Sequence, residues 1–150
     1  MLSFRRATST DLPFIIGLID ADSVTPSGED VANANSAAYE DALAIVSADP
    51  NQLLLMAERN GERIGTFQLT FIPGVGRQGM WRCLVEAVHV APEHRNKGYG
   101  RQMIAHAIEV CRDRGCGMLQ LTSNKGRVDA HRFYRSLGFQ QSHEGFKLYL

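Results

Sequence analysis

The sequence predicts a mixed α/β fold. It reads as one domain over residues 1–150, with a central sheet of about six to seven strands, helices on both faces and one parallel β-α-β crossover. Three observations lead there. Short runs alternate apolar and polar residues between turn residues, the period of strands with one wet face. Longer stretches repeat apolar residues every three or four positions, as packed helices do. Only once does a long apolar strand pass through a helix into another apolar strand, the order that sets two strands parallel. A doubly wound sheet would need more such units.

The elements follow in order. Leu2, Phe4 and Arg6 alternate with Ser3 and Arg5 as a first strand. Thr8, Ser9 and Thr10 offer caps, Asp11 and Pro13 suit a first turn, and Ile15, Ile16 and Ile19 form a helical stripe. The chain turns at Val24-Thr25-Pro26-Ser27-Gly28. A second, alanine-rich helix is predicted from Glu29 to Val46, with Tyr39, Ala42, Leu43 and Val46 on one side. After Asp49-Pro50, strands Gln52–Glu58 and Arg63–Phe71 join through Asn60-Gly61, a pair that tolerates the positive φ angles of a type I′ turn. The loop Pro73–Gly76 leads to the long strand Trp81–Val90. Helix Gly98–Arg114 comes next, with Met103, Ile104, Ala107, Ile108 and Cys111 on its buried face, and Gly115 and Gly117 stop it. Strand Met118–Thr122, helix Arg127–Leu137 and a final hairpin or strand pair over Phe139–Leu150 complete the chain.

Composition narrows the function. Lys plus Arg and Asp plus Glu number 16 each, so bulk charge argues against binding nucleic acid through phosphate neutralisation. No apolar run approaches the ~20 residues that span a bilayer, and MLSFRRATSTDL lacks the apolar centre of a signal peptide. Cys83, Cys111 and Cys116 are odd in number and without zinc-ligand spacing. The reading is a cytoplasmic protein with reduced thiols, no metal, and neither nucleic acid nor membrane as partner.

The chemistry concentrates after the long strand. Val85-Glu86-Ala87-Val88-His89-Val90 runs through Ala91-Pro92-Glu93-His94 into Arg95-Asn96-Lys97-Gly98-Tyr99-Gly100-Arg101. Two glycines at a strand-to-helix junction let backbone approach a ligand, and a helix start presents unpaired N–H groups. With the cations of Arg95, Lys97 and Arg101, this segment suits phosphate or pyrophosphate. Neither GxxxxGK[ST] nor GxGxxG occurs, so two better-known phosphate loops are absent.

Arg95-Asn96-Lys97-Gly98-Tyr99-Gly100 resembles the [RQ]-x-x-G-x-[GA] signature of the GCN5-related N-acetyltransferase (GNAT) superfamily. Ala130-His131-Arg132-Phe133-Tyr134-Arg135-Ser136-Leu137-Gly138-Phe139 resembles that superfamily's A-x-x-F-Y-x-x-x-G-F segment. The order of elements is also similar, so the resemblance covers nearly the whole chain. It implies acetyl-CoA as co-substrate. Backbone N–H groups from Lys97 to Arg101 would hold the pyrophosphate. Main-chain groups of Val88 and Val90, around His89, would pair with the pantetheine arm where two parallel strands splay apart, and Asn124 would hydrogen-bond the same arm. A strand N–H, at Val88, would meet the oxyanion. Dimers are common in the superfamily, so a homodimer through the final strands is implied as well.

Amine acetylation needs a base, because an ammonium of pKa ~10.4 has no free lone pair, and an acid for the departing thiolate. Glu86 is the candidate base, the one acid in the run Cys83–Val90; simple alternation sets it on one face with Val88 and Val90. An exposed place near the end of the strand, or a pairing with Arg82, is its structural alternative. His89 is the competing base, which the same alternation sets on the opposite face. Tyr134 is the candidate acid, on the face of Ala130, Phe133 and Leu137. Arg127, Arg132 and Arg135 are candidates for the 3′-phosphate or simply solvated charges. Asp20, Asp22, Glu29 and Asp30 are either attractors of a cationic acceptor or a solvated loop. The amine itself is not legible. Two rival readings stay open: a non-catalytic CoA or acyl-CoA binding module, and a nucleotide-phosphate enzyme.

Overall fold

In the computed structural model, which describes residues 1–150, local chemistry accounts for most element boundaries. Strand β1 (Ser3–Arg6) ends where Thr8 opens a 3-10 turn over Ser9–Asp11. Asp11 Oδ2 reaches back to the Thr8 N–H at 2.8 Å, and α1 (Leu12–Asp22) follows with Pro13 in its first turn. The second helix differs from the sequence expectation: α2 spans Ala37–Ala48, not Glu29–Val46. Ser36, extended at φ −65° and ψ 163°, stands at its N-cap, and the polar run before it forms only a 3-10 turn over Val31–Asn33. Asn and Ser favour such caps and turns over helix interiors, so the helix begins after them.

β2 (Gln52–Arg59) and β3 (Glu62–Ile72) form the expected hairpin, with Asn60 and Gly61 at φ 52° and 80°. β4 (Trp81–Val90) runs into α3 (Tyr99–Asp113) and then β5 (Cys116–Gln120). The strands stand in the order β1-β2-β3-β4-β5, antiparallel except for the β4–β5 pair, which is parallel. The crossover is therefore where the sequence sets it.

Register distributes the helices between two faces. Leu54 and Met56 pair with Gln68 and Thr66, and their side chains pack with Ala7 against Phe14, Ile15 and Ile19 of α1. The alternate residues face α3. Phe4 stacks on His106 at 4.0 Å, Phe67 meets Phe4 edge-on, and Met103 lies against Gly65. Phe67, Met56, Met103 and Ile104 are fully buried, so the core lies on both sides of the central strands. One charge is buried with them. Asp11, with no exposed surface, receives both terminal nitrogens of Arg5 (2.7 and 2.9 Å) and Nε of Arg63 (2.8 Å).

All five strands belong to a compact unit, Met1–Gln120; Leu121–Leu150 form a second. In the second unit, Asn124 Oδ1 accepts from the Gly126 N–H at 2.9 Å, a turn that leads into α4 (Val128–Ser136). The expected total of six to seven strands is not met. Residues 140–150 make no backbone ladder, and Phe146, Leu148 and Tyr149 are exposed. Alternation supplies a strand's two faces, but a strand exists only through hydrogen bonds to a neighbour.

Candidate active site

The β4 strand is paired on both sides for only part of its length. Trp81, Arg82, Cys83 and Leu84 match Cys116, Met118, Leu119 and Gln120 of β5. From Val85 to Val90 only β3 accompanies it, so six residues of one edge stand open. Ala91 N–H donates to the Ile64 carbonyl across β3 (2.9 Å), and the His89 carbonyl also backs onto β3 at Gly65. Val90, between them, therefore turns its N–H and C=O towards the open edge. Val88 lies in the same stretch.

That edge contains a bulge. Thr66 pairs with His89 and Gln68 with Glu86, so Ala87 and Val88 together stand opposite Phe67. Ala87 carries the distortion at φ 51°. A non-glycine residue in the left-handed region stores strain that the surrounding sheet must hold. The bulge overturns the expectation from simple alternation. Thr66 and Gln68 share a face of β3, so His89 and Glu86 share that face of β4, the α1 side. The extra residue shifts every side chain after it by one.

Glu86 is exposed rather than buried in an apolar strand, and it forms no pair with Arg82 or any other side chain. His89 is held. Its Nδ1 lies 2.7 Å from Asp22 Oδ2 at the end of α1, and the two side chains are only 11% and 13% exposed. Arg95 Nη2 bonds the other oxygen of Asp22, and Arg95 Nε donates to the Val90 carbonyl at 3.1 Å. The Arg95 side chain, expected to face an anion, thus clamps α1 to the end of β4.

The junction that follows is built for a tight start to a helix. Asn96 and Gly98 both have positive φ, 62° and 80°, and Gly98 is the N-cap of α3. A side chain at Gly98 would meet nothing within 4 Å, so the conformation, not crowding, calls for glycine. Tyr99, Gly100 and Arg101 occupy the first turn, whose N–H groups have no intrahelical acceptor. Tyr99 is buried, and its hydroxyl accepts from Arg59 Nη1 at 2.8 Å. Lys97 Nζ donates to the Glu93 carbonyl at 2.8 Å, which folds the loop back on itself. The Arg95 and Lys97 side chains are thus engaged within the protein, while the first-turn main-chain amides have no intrahelical acceptor.

The family model of the acetyltransferase (GNAT) family matches residues 20–139. The chain belongs to this family. It is an N-acetyltransferase, and the match runs across both compact units. The aminoalkylphosphonate N-acetyltransferase of Salmonella typhimurium is 35% identical over 109 residues, 73% of this chain and 70% of its own length. The crystal structure of a transcriptional regulator from Bacillus halodurans C-125 superposes with a TM-score of 0.94 at 35% identity, covering 100% of both chains. Glucosamine-6-phosphate N-acetyltransferase from Arabidopsis thaliana shares the fold, with a TM-score of 0.77 at 18% identity over 99% of this chain and 98% of its own.

The remaining GNAT residues named from sequence lie in the second unit. Tyr134 on α4 packs edge-on to Phe133 and Phe139, with ring centroids 5.2 and 5.7 Å away. Burial raises its pKa, against a smaller opposite pull from the Arg127 charge. No group bonds its hydroxyl, so the phenol is a free, protonated donor. Asn124 spends its side-chain oxygen on Gly126, which leaves its NH₂ group to donate. Arg132 pairs with Asp129 at 3.6 Å, and Arg135 donates to Gln141 at 2.7 Å.

The four acids in the last turn of α1 and the segment after it have internal partners as well. Asp20 accepts from the Ser27 hydroxyl, Glu29 from the Tyr39 hydroxyl (2.6 Å) and Asp30 from Asn33 (3.0 Å), while Asp22 holds His89 and Arg95. Their excess in the sequence builds the connection. The Asp22–His89 contact had no signal in the chain, because 67 residues separate its partners.

Proposed function

We propose that this GNAT-family protein transfers the acetyl group of acetyl-CoA to a primary amine of a small molecule or peptide by direct attack. One observation supports it above the others: the open edge Val85–Val90, bulged at Ala87, leads into a helix start of free amides behind Gly98. The pantetheine arm carries amides that extend along such an edge as an added strand would, with Val88 and Val90 as partners. The pyrophosphate fits the amides from Lys97 to Arg101, and Asn124 has an NH₂ group to offer the arm. The bulge frees a main-chain N–H near Val88 for the oxyanion that forms as nitrogen attacks.

Glu86 takes a proton from the amine, directly or through a water. Its exposure and lack of a partner leave the carboxylate available. Tyr134 gives a proton to the departing sulfur. It enters this reading from the motif around it and from a phenol that stays protonated. The Salmonella relative is named for aminoalkylphosphonates, which are primary amines, and that supports the acceptor class.

The test has two arms. Acetyl-CoA, and not ATP, should raise the thermal midpoint through binding to the folded state. A panel of primary amines, including an aminoalkylphosphonate, a polyamine and a lysine peptide, should release thiol from acetyl-CoA. Binding without turnover of any amine would leave the non-catalytic module as the reading.

A further inference from the structure

We infer that His89, positioned by Asp22, is a second proton acceptor of the transfer reaction, an inference that rests on the acetyl-transfer reading above. The reaction itself sets the requirement. An ammonium enters with three N–H bonds and leaves as a secondary amide with one, so it sheds two protons. One replaces the carbon–sulfur bond as an S–H bond, and the other passes to water. Glu86 alone would have to release the first proton before receiving the second.

The bulge at Ala87 supplies a second group on the same face, because it brings His89 to the side of β4 where Glu86 stands. Asp22 then fixes the ring. A carboxylate 2.7 Å from Nδ1 holds the tautomer with the proton on that nitrogen, which leaves a lone pair on Nε2. Nε2 bonds no protein group, and no buried side-chain nitrogen or oxygen lacks a partner. Nε2 therefore reaches solvent from an otherwise enclosed ring. Arg95 on the second oxygen of Asp22 completes the support and pins the carboxylate in place. Charged groups about His89 include Asp22 from α1, Arg95 beyond the end of β4 and Glu86 on the same face of β4; Thr66 of β3 stands opposite, its hydroxyl donating to the Leu55 carbonyl.

The step balances as follows. The acceptor ammonium gives one proton to His89 Nε2. The freed lone pair forms the nitrogen–carbon bond to the thioester carbonyl, and the tetrahedral adduct gives its second proton to Glu86. The carbon–sulfur bond breaks with its electron pair on sulfur, which takes the proton of Tyr134. Glu86 restores Tyr134 through solvent, and His89 releases its proton to water.

The experiment uses the full-length protein with the amine that the panel shows to be turned over fastest, and records kcat/KM from pH 6 to pH 10. The expected result is that His89→Gln binds acetyl-CoA and melts as the native protein does, yet loses kcat/KM on the order of 10²-fold at pH 7. The loss should narrow towards pH 10, where the amine deprotonates unaided. Asp22→Asn, which cannot hold the same tautomer, should show a similar pH-dependent loss. Should Asp22→Asn unfold, His89→Gln alone decides. A His89→Gln profile equal to wild type, or one lowered equally at every pH, overturns the inference and leaves acetyl transfer standing. Absence of turnover with any amine by wild type defeats both.

Discussion

Gly65 backs onto the carbonyl of His89 so closely that a methyl group there would sit 2.4 Å from the oxygen. The sulfur of Met103 would lie 3.1 Å from the same methyl, so neither side can give way freely. Gly65→Ala should therefore push β3 from β4 beside the bulge, at roughly 1–3 kcal/mol of stability. Urea denaturation measures the loss. A separate titration should show weaker acetyl-CoA binding, because Gly65 pairs with Val90, the last residue of the open edge. A variant with native stability and native binding would show that the two strands separate at no cost.

Asp11 gives a prediction in pH. Burial by itself would raise the pKa of its carboxyl, but hydrogen bonds from Arg5, the Thr8 N–H and Arg63 more than offset this and hold it well below the ordinary carboxylate range. A lowered folded-state pKa means a contribution fully present above the unfolded value of about 3.9 and lost as pH falls below it. Asp11→Asn should cost towards the lower end of the ~3–5 kcal/mol typical of a broken buried pair, since Arg5 and Arg63 stay 37% and 39% exposed. The gap between variant and wild type should shrink below pH 4, by up to about 1.4 kcal/mol per pH unit. Chemical denaturation at pH 7, 5 and 3 checks both statements.

Removal of one oxygen tests Tyr134. Tyr134→Phe keeps the packing against Phe133 and Phe139 and deletes only the hydroxyl. The expected outcome is a kcat lower on the order of 10²-fold with acetyl-CoA affinity unchanged, as for the loss of a general acid. Because burial raises this phenol, wild-type kcat should show no loss assignable to Tyr134 until pH exceeds about 10. An undiminished kcat in the variant would remove Tyr134 from the mechanism.

Gly98 separates conformation from crowding. Its φ of 80° suits glycine, and no atom lies within 4 Å of where a Cβ would stand. Gly98→Val should cost roughly 1–2 kcal/mol through the backbone alone. It should also weaken acetyl-CoA binding, since the first amides of α3 turn away from their place. Gly98→Asn, which tolerates this region, should recover part of both losses. Isothermal titration with acetyl-CoA distinguishes the three proteins.

Much of this fold was legible in the chain because its signals are local. Asn60-Gly61 marked the hairpin, Gly98 the start of α3, and the strand–helix–strand run from Trp81 the parallel pair. The candidate cofactor residues clustered in sequence, Asn124 apart, because they were drawn from one strand and the loop after it. The helix expected from Glu29 failed where an Asn- and Ser-rich run competed with apolar periodicity. The final strands failed because pairing partners cannot be read from alternation.

The sequence by itself determined the order of elements from β1 to α4, the glycine-capped junction and the family, all set by residues within a few positions of one another. Only the tertiary structure decided which face His89 occupies and that Asp22 holds it. A bulge arises from how β3 and β4 match over their length, and a contact across 67 residues depends on α1 packing against the sheet. Both are outcomes of long-range packing, which short-range preference does not encode.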